Sequence, residues 1–242
     1  MITIDFSRLP LESDSRILDI GCGSGRHVCE AYRLRKAVVV GADLDIKNVL
    51  DARKRLRFHD HVGEHGDGSW HLNVADIRHL PYGSRSFDLV ICSEVMEHIR
   101  DEQPAVEELK RVLKPKYYLA VSVPRYLPER ICWLLSDEYH QVNQGHVRIY
   151  RKNELIDLMT SNGFSFLGSH YAHSLHTPYW WLKCLLGPTR DRHPLVRIYH
   201  RFLTWDIMQK PRLTRLVDHL FNPLMGKSLV LYFQKNNDKR NI

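Results

Sequence analysis

Leu18-Asp19-Ile20-Gly21-Cys22-Gly23-Ser24-Gly25 carries the densest chemical signal in this 242-residue chain. Three glycines at alternate positions let a backbone turn tightly and bring its amides against a ligand. The run follows an apolar segment and opens a helical one, which is the position of a binding crevice at the carboxyl edge of a sheet. A nicotinamide dinucleotide needs G-x-G-x-x-G, with the third glycine one place later, where Arg26 stands. Two further carboxylates end apolar segments: Asp43 closes Val-Val-Val-Gly-Ala-Asp, and Asp76 lies in Asn73-Val-Ala-Asp-Ile77. A carboxylate so placed either accepts hydrogens from a ligand or caps the next helix. His98 and His146 offer imidazoles able to take a proton at neutral pH.

Apolar runs alternate with helical patterns through the first two thirds of the chain, the signature of a parallel sheet covered on both faces. The spacing predicts strands at Arg16–Ile20, Ala37–Gly41, His71–Ala75, Phe87–Cys92 and Tyr117–Val123. Between the fourth and fifth, Ala105, Val106, Leu109, Val112 and Leu113 recur at helical spacing, with Asp101 as the candidate cap and Lys114-Pro115 as the stop. A short helix over Glu154–Met159 closes at Asn162-Gly163, and further strands follow at Phe164–Tyr171 and Ser228–Phe233. The expected fold class is α/β, a doubly wound, seven-stranded, mostly parallel sheet in one domain over residues 1–242. Arg125–Tyr150 and His173–Gly226 break the alternation and are expected to form a helical cap. In the second stretch Leu195, Ile198, Phe202, Trp205 and Met208 keep helical spacing, as do Leu213, Leu216, Val217 and Leu220 after Pro211.

Taken in order, these pieces resemble the class I S-adenosylmethionine (SAM)-dependent methyltransferases, of the type 11-like group that includes ubiquinone- and menaquinone-pathway enzymes. The resemblance runs from about Arg16 to Gly163, with the seventh strand as a further match, and implies a Rossmann-like methyltransferase fold. It implies that Asp19, Gly21, Cys22, Gly23 and Gly25 line the methionine half of SAM and pass under its ribose. Asp43 then accepts both ribose hydroxyls, with Leu44 beside it in the cofactor site. Asp76 receives the adenine amino group while Ile77 packs on the ring. Leu80-Pro81 and Phe87-Asp88-Leu-Val fall at the family's spacing. Ser93 opens the loop Cys92-Ser93-Glu94-Val95-Met96-Glu97-His98, which faces both the sulfonium and the acceptor.

Methyl transfer from a sulfonium is an in-line displacement in which the protein mainly positions the acceptor and excludes water. A base is needed only for a hydroxyl or carbon acid, and His98 is the candidate by position; its other reading is a histidine that holds the loop. His146, in Gly145-His146-Val-Arg148-Ile-Tyr150, is a second candidate base, and Arg148 a candidate for an anionic acceptor group; both also suit a polar edge of the cap. Glu94, Glu97 and His98 form E-x-x-E-H, which holds a divalent metal in ubiquinone-pathway O-methyltransferases and small-RNA 2′-O-methyltransferases. E-V-x-E-H also occurs in family members without metal, where the glutamate orients the loop, and no metal ligand is assigned. His59, His61, His65 and His71 lack regular ligand spacing and read as a solvated loop. Tyr179-Trp180-Trp181 beside leucines and a basic tail reads either as an interfacial membrane element or as a cap helix packing on the core.

The formal charge is +7, and residues 183–217 hold eight Lys/Arg against Asp191 and Asp206, a net excess of six. So concentrated a charge favours an anionic partner such as lipid headgroups, phosphate or RNA. Five dispersed cysteines without a CxxC pair suit a reducing cytoplasm, and no apolar run approaches the ~20 residues that cross a bilayer. The expected protein is cytoplasmic, neither secreted nor integral to a membrane, and able to rest on a membrane surface. The expected function is methyl transfer from SAM to a small-molecule or lipid-linked acceptor, with oxygen preferred because the chain lacks the Asn/Asp-Pro-Pro-Tyr loop of amino-directed enzymes. The alternatives are an RNA methyltransferase, a SAM-binding protein without turnover, and an NAD oxidoreductase.

Overall fold

A computed structural model describes residues 1–136, 145–187, 192–209 and 211–237. β1 (Arg16–Ile20), β2 (Val38–Asp43), β3 (Ser69–Val74), β4 (Phe87–Ser93) and β5 (Leu113–Pro124) run parallel. With β6 (Phe164–Ala172) and β7 (Ser228–Lys235) they form a seven-stranded sheet in the order β3-β2-β1-β4-β5-β7-β6, in which β7 is antiparallel to both neighbours. The expected α/β architecture is therefore the observed one. The helices of the described residues are α1 (Arg26–Tyr32), α2 (Ile46–Val62), α3 (Gln103–Val112), α4 (Tyr126–Leu135), α5 (Lys152–Ser161), α6 (Thr177–Leu186), α7 (Pro194–Gln209) and α8 (Arg212–Met225).

Successive strand residues point to opposite faces, so each strand feeds two cores. Leu18, Ile20, Val90, Val121 and Leu231 pack with α3 and α5 on one face. Ile17, Leu89, Ile91, Ala120 and Tyr232 pack with α1, α2, Ile4 and Leu9 on the other. All seven residues of β4 are buried, as a strand covered on both sides requires. Each fully buried Leu, Ile or Phe contributes roughly 1.5–3 kcal/mol, which makes the two faces the main force holding the sheet. The N-terminal segment is pinned over the second core, where the Thr3 N–H donates to His27 Nε2 at 3.1 Å and the Asp5 N–H to Tyr232 Oη at 2.9 Å.

Strand register sets the site. Ile20 pairs with Ala42 on one side and Cys92 on the other, and Cys92 pairs with Val121. The next residues, Gly21, Asp43, Ser93 and Ser122, therefore emerge side by side at the carboxyl edge.

Three local expectations are corrected. β5 begins at Leu113, because Lys114-Pro115 continues into the strand and occupies an irregularity between the Phe87–Leu113 and Leu89–Tyr118 pairs, a position where a missing N–H is tolerated. Asp101 does not cap α3; Glu102 holds that position without a side-chain cap bond, its carboxylate being engaged with Tyr150 and Arg148. His59 and His61 belong to the last turn of α2 and His71 to β3, which leaves only His65 of that group in the loop.

Of the two stretches outside the alternation, the first contributes α4 and the second α6, α7 and α8. α4 packs on α6, α6 on α7, and α8 on β6 and the 3₁₀ turn Ser174–His176. Trp181, half-buried, donates from Nε1 to Pro128 O at 3.0 Å, so this aromatic joins α6 to α4. Residues 137–144, 188–191 and 210 lie outside the described residues, with them Arg190, Asp191 and Lys210 of the basic segment. No helix among the described residues is long and apolar enough to cross a membrane.

Candidate active site

The loop after β1 is built from left-handed glycines: Gly21 at φ +67, Gly23 at +52 and Gly25 at +87, the last at the N-cap of α1. At Gly21 the requirement is steric as well, since a Cβ there would lie 2.2 Å from Val95 Cγ2 in the loop after β4. Glycine thus lets two loops meet over the sheet edge.

Asp43 clasps this loop. Its Oδ2 accepts the Gly23 N–H at 2.8 Å, and its Oδ1 accepts the Asp45 N–H at 2.9 Å and Asn48 Nδ2 at 3.1 Å. Leu44 beside it is 69% exposed and Ile77 is 7% exposed, so the first is open to a ligand and the second belongs to the core edge. Asp76 is gripped by Arg78, with Nη2 to Oδ2 at 2.6 Å, and that hydrogen bond holds its carboxyl below the usual range. Cys22 and Ser93 are buried. Ser93 Oγ lies 2.7 Å from Ser122 Oγ, and the Ser122 hydroxyl donates to Glu94 Oε1 at 3.1 Å.

Asp19 differs from these. It is 1% exposed, and neither carboxylate oxygen has a hydrogen-bond partner. Burial raises its pKa to about 7, outweighing the more distant pull of the Arg26 charge. An uncompensated carboxylate under a glycine loop suits a ligand that carries positive charge, as the sulfonium and ammonium of SAM do. The residues present fit SAM on this ground.

On the acceptor side, the 3₁₀ turn Met96–His98 meets the segment 145–150. The Val147 N–H donates to Glu97 O at 2.9 Å, and His98 Nδ1 lies 3.3 Å from Gly145 O. The His98 and His146 rings stand edge to face, 4.9 Å between centroids. His146 Nδ1 is 2.5 Å from Glu129 Oε1 of α4, which also accepts from Trp133 Nε1 at 3.3 Å. Arg148 is committed to Glu102 and the Arg100 carbonyl, so it is not free to hold an anionic acceptor group as expected.

Below the imidazoles lies Glu97, 1% exposed, with both carboxylate oxygens unpartnered; burial first and Glu94 second push its pKa well up. Ligand atoms of Glu97, His98 and His146 all lie within 4.8 Å of one another. Glu94 has φ +57, a strained backbone that turns the loop here. Glu129 and Ser122 escaped sequence reasoning, because their partners arrive from other strands and helices; Asn48, one turn after Asp43 on a helix, was the residue with a readable spacing.

Residues 18–121 match the family model described as a methyltransferase domain. Over 117 residues the chain is 32% identical to Methyltransferase GfsG of Streptomyces halstedii, a match covering 48% of this chain and 40% of that protein. It is 26% identical over 164 residues to a Ubiquinone biosynthesis O-methyltransferase of Coxiella burnetii, covering 64% of this chain and 67% of the relative. The chain spans about half the length or less of several curated relatives it matches. A SAM-dependent methyltransferase structure from Methanosarcina mazei superposes with a TM-score of 0.59 at 18% identity, covering 94% of this chain and 95% of the other, a likeness of fold. Residues 18–121 thus carry a methyltransferase domain, set on a Rossmann-like sheet.

Proposed function

We infer that residues 1–242 work as one unit that moves a methyl group from SAM to an oxygen of a small-molecule or lipid-linked acceptor, with an anionic membrane surface as a further partner. One observation carries the reading: the glycine loop over unpartnered Asp19 abuts, through Gly21 and Val95, the same β4 loop that bears His98. Cofactor and acceptor sides therefore share one edge. When bound, SAM supplies an electrophilic methyl group for in-line displacement.

The chain's residues do the rest. The glycine amides and Asp43 orient the nucleoside and Leu44 covers it, while Asp19 balances the positive charge. His98 takes the acceptor hydroxyl proton as the oxygen–carbon bond forms, and Glu129 orients His146 as a second acceptor of that proton. The name of the Coxiella burnetii relative, a ubiquinone biosynthesis O-methyltransferase, supports oxygen as the acceptor atom and a lipid-linked acceptor. The basic excess over residues 183–217 supports the membrane partner.

Methyl-labelled SAM incubated with a lipid extract, a pool of small hydroxylated molecules and total RNA tests the reading. Label in the lipid or small-molecule fraction is the expected result; label in RNA alone, or tight SAM binding with no transfer, overturns it.

A second reading is supported by the orphaned Glu97 carboxylate: one buried oxygen donor and two imidazoles are a ligand set for a divalent cation. Such an ion, held by Glu97, His98 and His146, would act as a Lewis acid toward an acceptor oxygen. The two readings assign the imidazoles differently. Loss of turnover on dialysis against chelator and its return with magnesium, manganese or zinc would select the ion, and unchanged turnover would select His98 as base.

A further inference from the structure

α8 is amphipathic in the inverted sense, and α7 exposes an apolar stripe of its own. On α8 the polar side faces the protein: Asp218 Oδ1 accepts from Ser174 Oγ at 2.7 Å and from the Leu175 N–H at 3.1 Å, Asn222 Oδ1 accepts the Ser174 N–H at 2.9 Å, and Thr214 is buried. The apolar side faces out, with Leu213, Leu216, Leu220 and Leu224 each between 56% and 71% exposed. α7 also exposes an apolar stripe, although its buried side is largely apolar as well. Val196, Leu203 and Asp206 turn inward, while Leu195, Ile198, Phe202, Trp205 and Met208, the stripe whose spacing ordinarily marks a buried face, point to solvent. Single exposed leucines are unremarkable in a folded protein, but an exposed apolar stripe along each of two successive helices marks a surface suited to a partner.

The charges beside the stripes name the occupant. Arg192, Arg197, Arg201, Arg212 and Arg215 are exposed, and between residues 192 and 225 no acidic side chain among the described residues is exposed: Asp206 is buried, and Asp218 is bonded to the 3₁₀ turn. Guanidinium groups flanking a face of leucine, phenylalanine and tryptophan suit the headgroup–acyl boundary of an anionic bilayer, where the rings and aliphatic chains enter and the arginines meet phosphate. Pairing with a second copy would instead press two like-charged rims together. We propose that the exposed faces of α7 and α8 form an interfacial anchor that seats the protein on anionic lipid without crossing it. The proposal deepens the membrane half of the functional reading and rests on it, while remaining independent of methyl transfer.

Co-sedimentation with phosphatidylcholine vesicles, with and without 30–40% phosphatidylglycerol, tests it on the full chain in the absence of SAM, at low and high salt. The expected result is binding to the anionic vesicles, at least tenfold weaker on neutral vesicles and weakened by salt. L216E/L220E and R197E/R201E should each lower that binding at least tenfold. These positions are exposed, so both variants should keep the wild-type thermal midpoint and SAM affinity, and that affinity reports separately on whether the cofactor reading holds. Wild-type protein that ignores anionic vesicles overturns the anchor. So does a concentration-dependent dimer abolished by L216E/L220E, which would assign the face to self-association. Unchanged vesicle binding by both folded variants would place the contact elsewhere and equally refute it.

Discussion

Asp19→Asn removes a charge while nearly preserving shape, and the structure gives both its sign and its size. A carboxyl held at about 7 instead of 3.8 binds its proton more tightly in the folded state than in the unfolded one. Folding is therefore most favoured where Asp19 is protonated in both states, and stability is lost as pH rises from 3.8 through 7. At about 1.4 kcal/mol per tenfold change in proton affinity, the cost reaches about 4 kcal/mol at pH 8 and falls to about 2 kcal/mol at pH 5. Asparagine avoids that cost but leaves a buried amide unmatched, for about 1–3 kcal/mol. The variant should thus be more stable than the wild type by about 1–3 kcal/mol at pH 8, a midpoint rise of roughly 2–12 °C, with the difference shifted by about 2 kcal/mol against the variant at pH 5, to within about 1 kcal/mol of zero. It should also bind SAM at least roughly tenfold more weakly, having lost the charge that faces the cationic ligand. Urea or thermal unfolding at both pH values, with calorimetric titration of SAM, measures all three. A variant less stable at pH 8, or one that follows the wild-type pH dependence, would refute the idea that Asp19 is a charge awaiting its partner.

Gly21→Ala should lower stability by at least about 1 kcal/mol and abolish detectable SAM binding, whereas Gly23→Ala, with open space at its Cβ, should pay only the left-handed backbone cost of roughly 1–2 kcal/mol; unfolding and calorimetry of the pair separate steric from conformational demand. His98→Ala should leave SAM affinity within about twofold of wild type and lower turnover by roughly 100-fold or more once an acceptor is in hand, and normal turnover would remove it from the catalytic set. His27 works against Asp19: its ring accepts from Thr3 N–H, and burial lowers its pKa to about 3. The unfolded chain takes up that proton below 6.5 while the folded one does not, so stability falls as pH drops, by about 2 kcal/mol at pH 5, and His27→Gln should flatten that limb of a pH–stability curve.

The parallel sheet was legible because each strand is a run of apolar residues too short for a helix and bounded by turn chemistry, and because Gly21, Asp43 and Asp76 follow strands whose register brings them to one edge. Boundaries slipped where tertiary pairing overrode local signals, as when Pro115 entered β5 through an irregularity in its ladder. Asp43 illustrates a different limit. Its position was readable, but its bonds to Gly23, Asp45 and Asn48 depend on how the chain closes in space. The acceptor side was least legible, since Glu129 and His146 meet only once α4 and the 145–150 segment have folded onto the β4 loop. The stripes of α7 and α8 carried correct helical periodicity but no orientation: spacing shows that one side of a helix is apolar, and only packing decides which way that side faces.

Calorimetric titration of the purified chain with SAM, repeated with Asp43→Ala and with NAD as the competing ligand, goes most directly to the central claim. Stoichiometric binding of SAM, weakened by about 1–3 kcal/mol in Asp43→Ala and untouched by NAD, is the expected result. No heat with SAM, equal affinity in the variant, or displacement by NAD would contradict it.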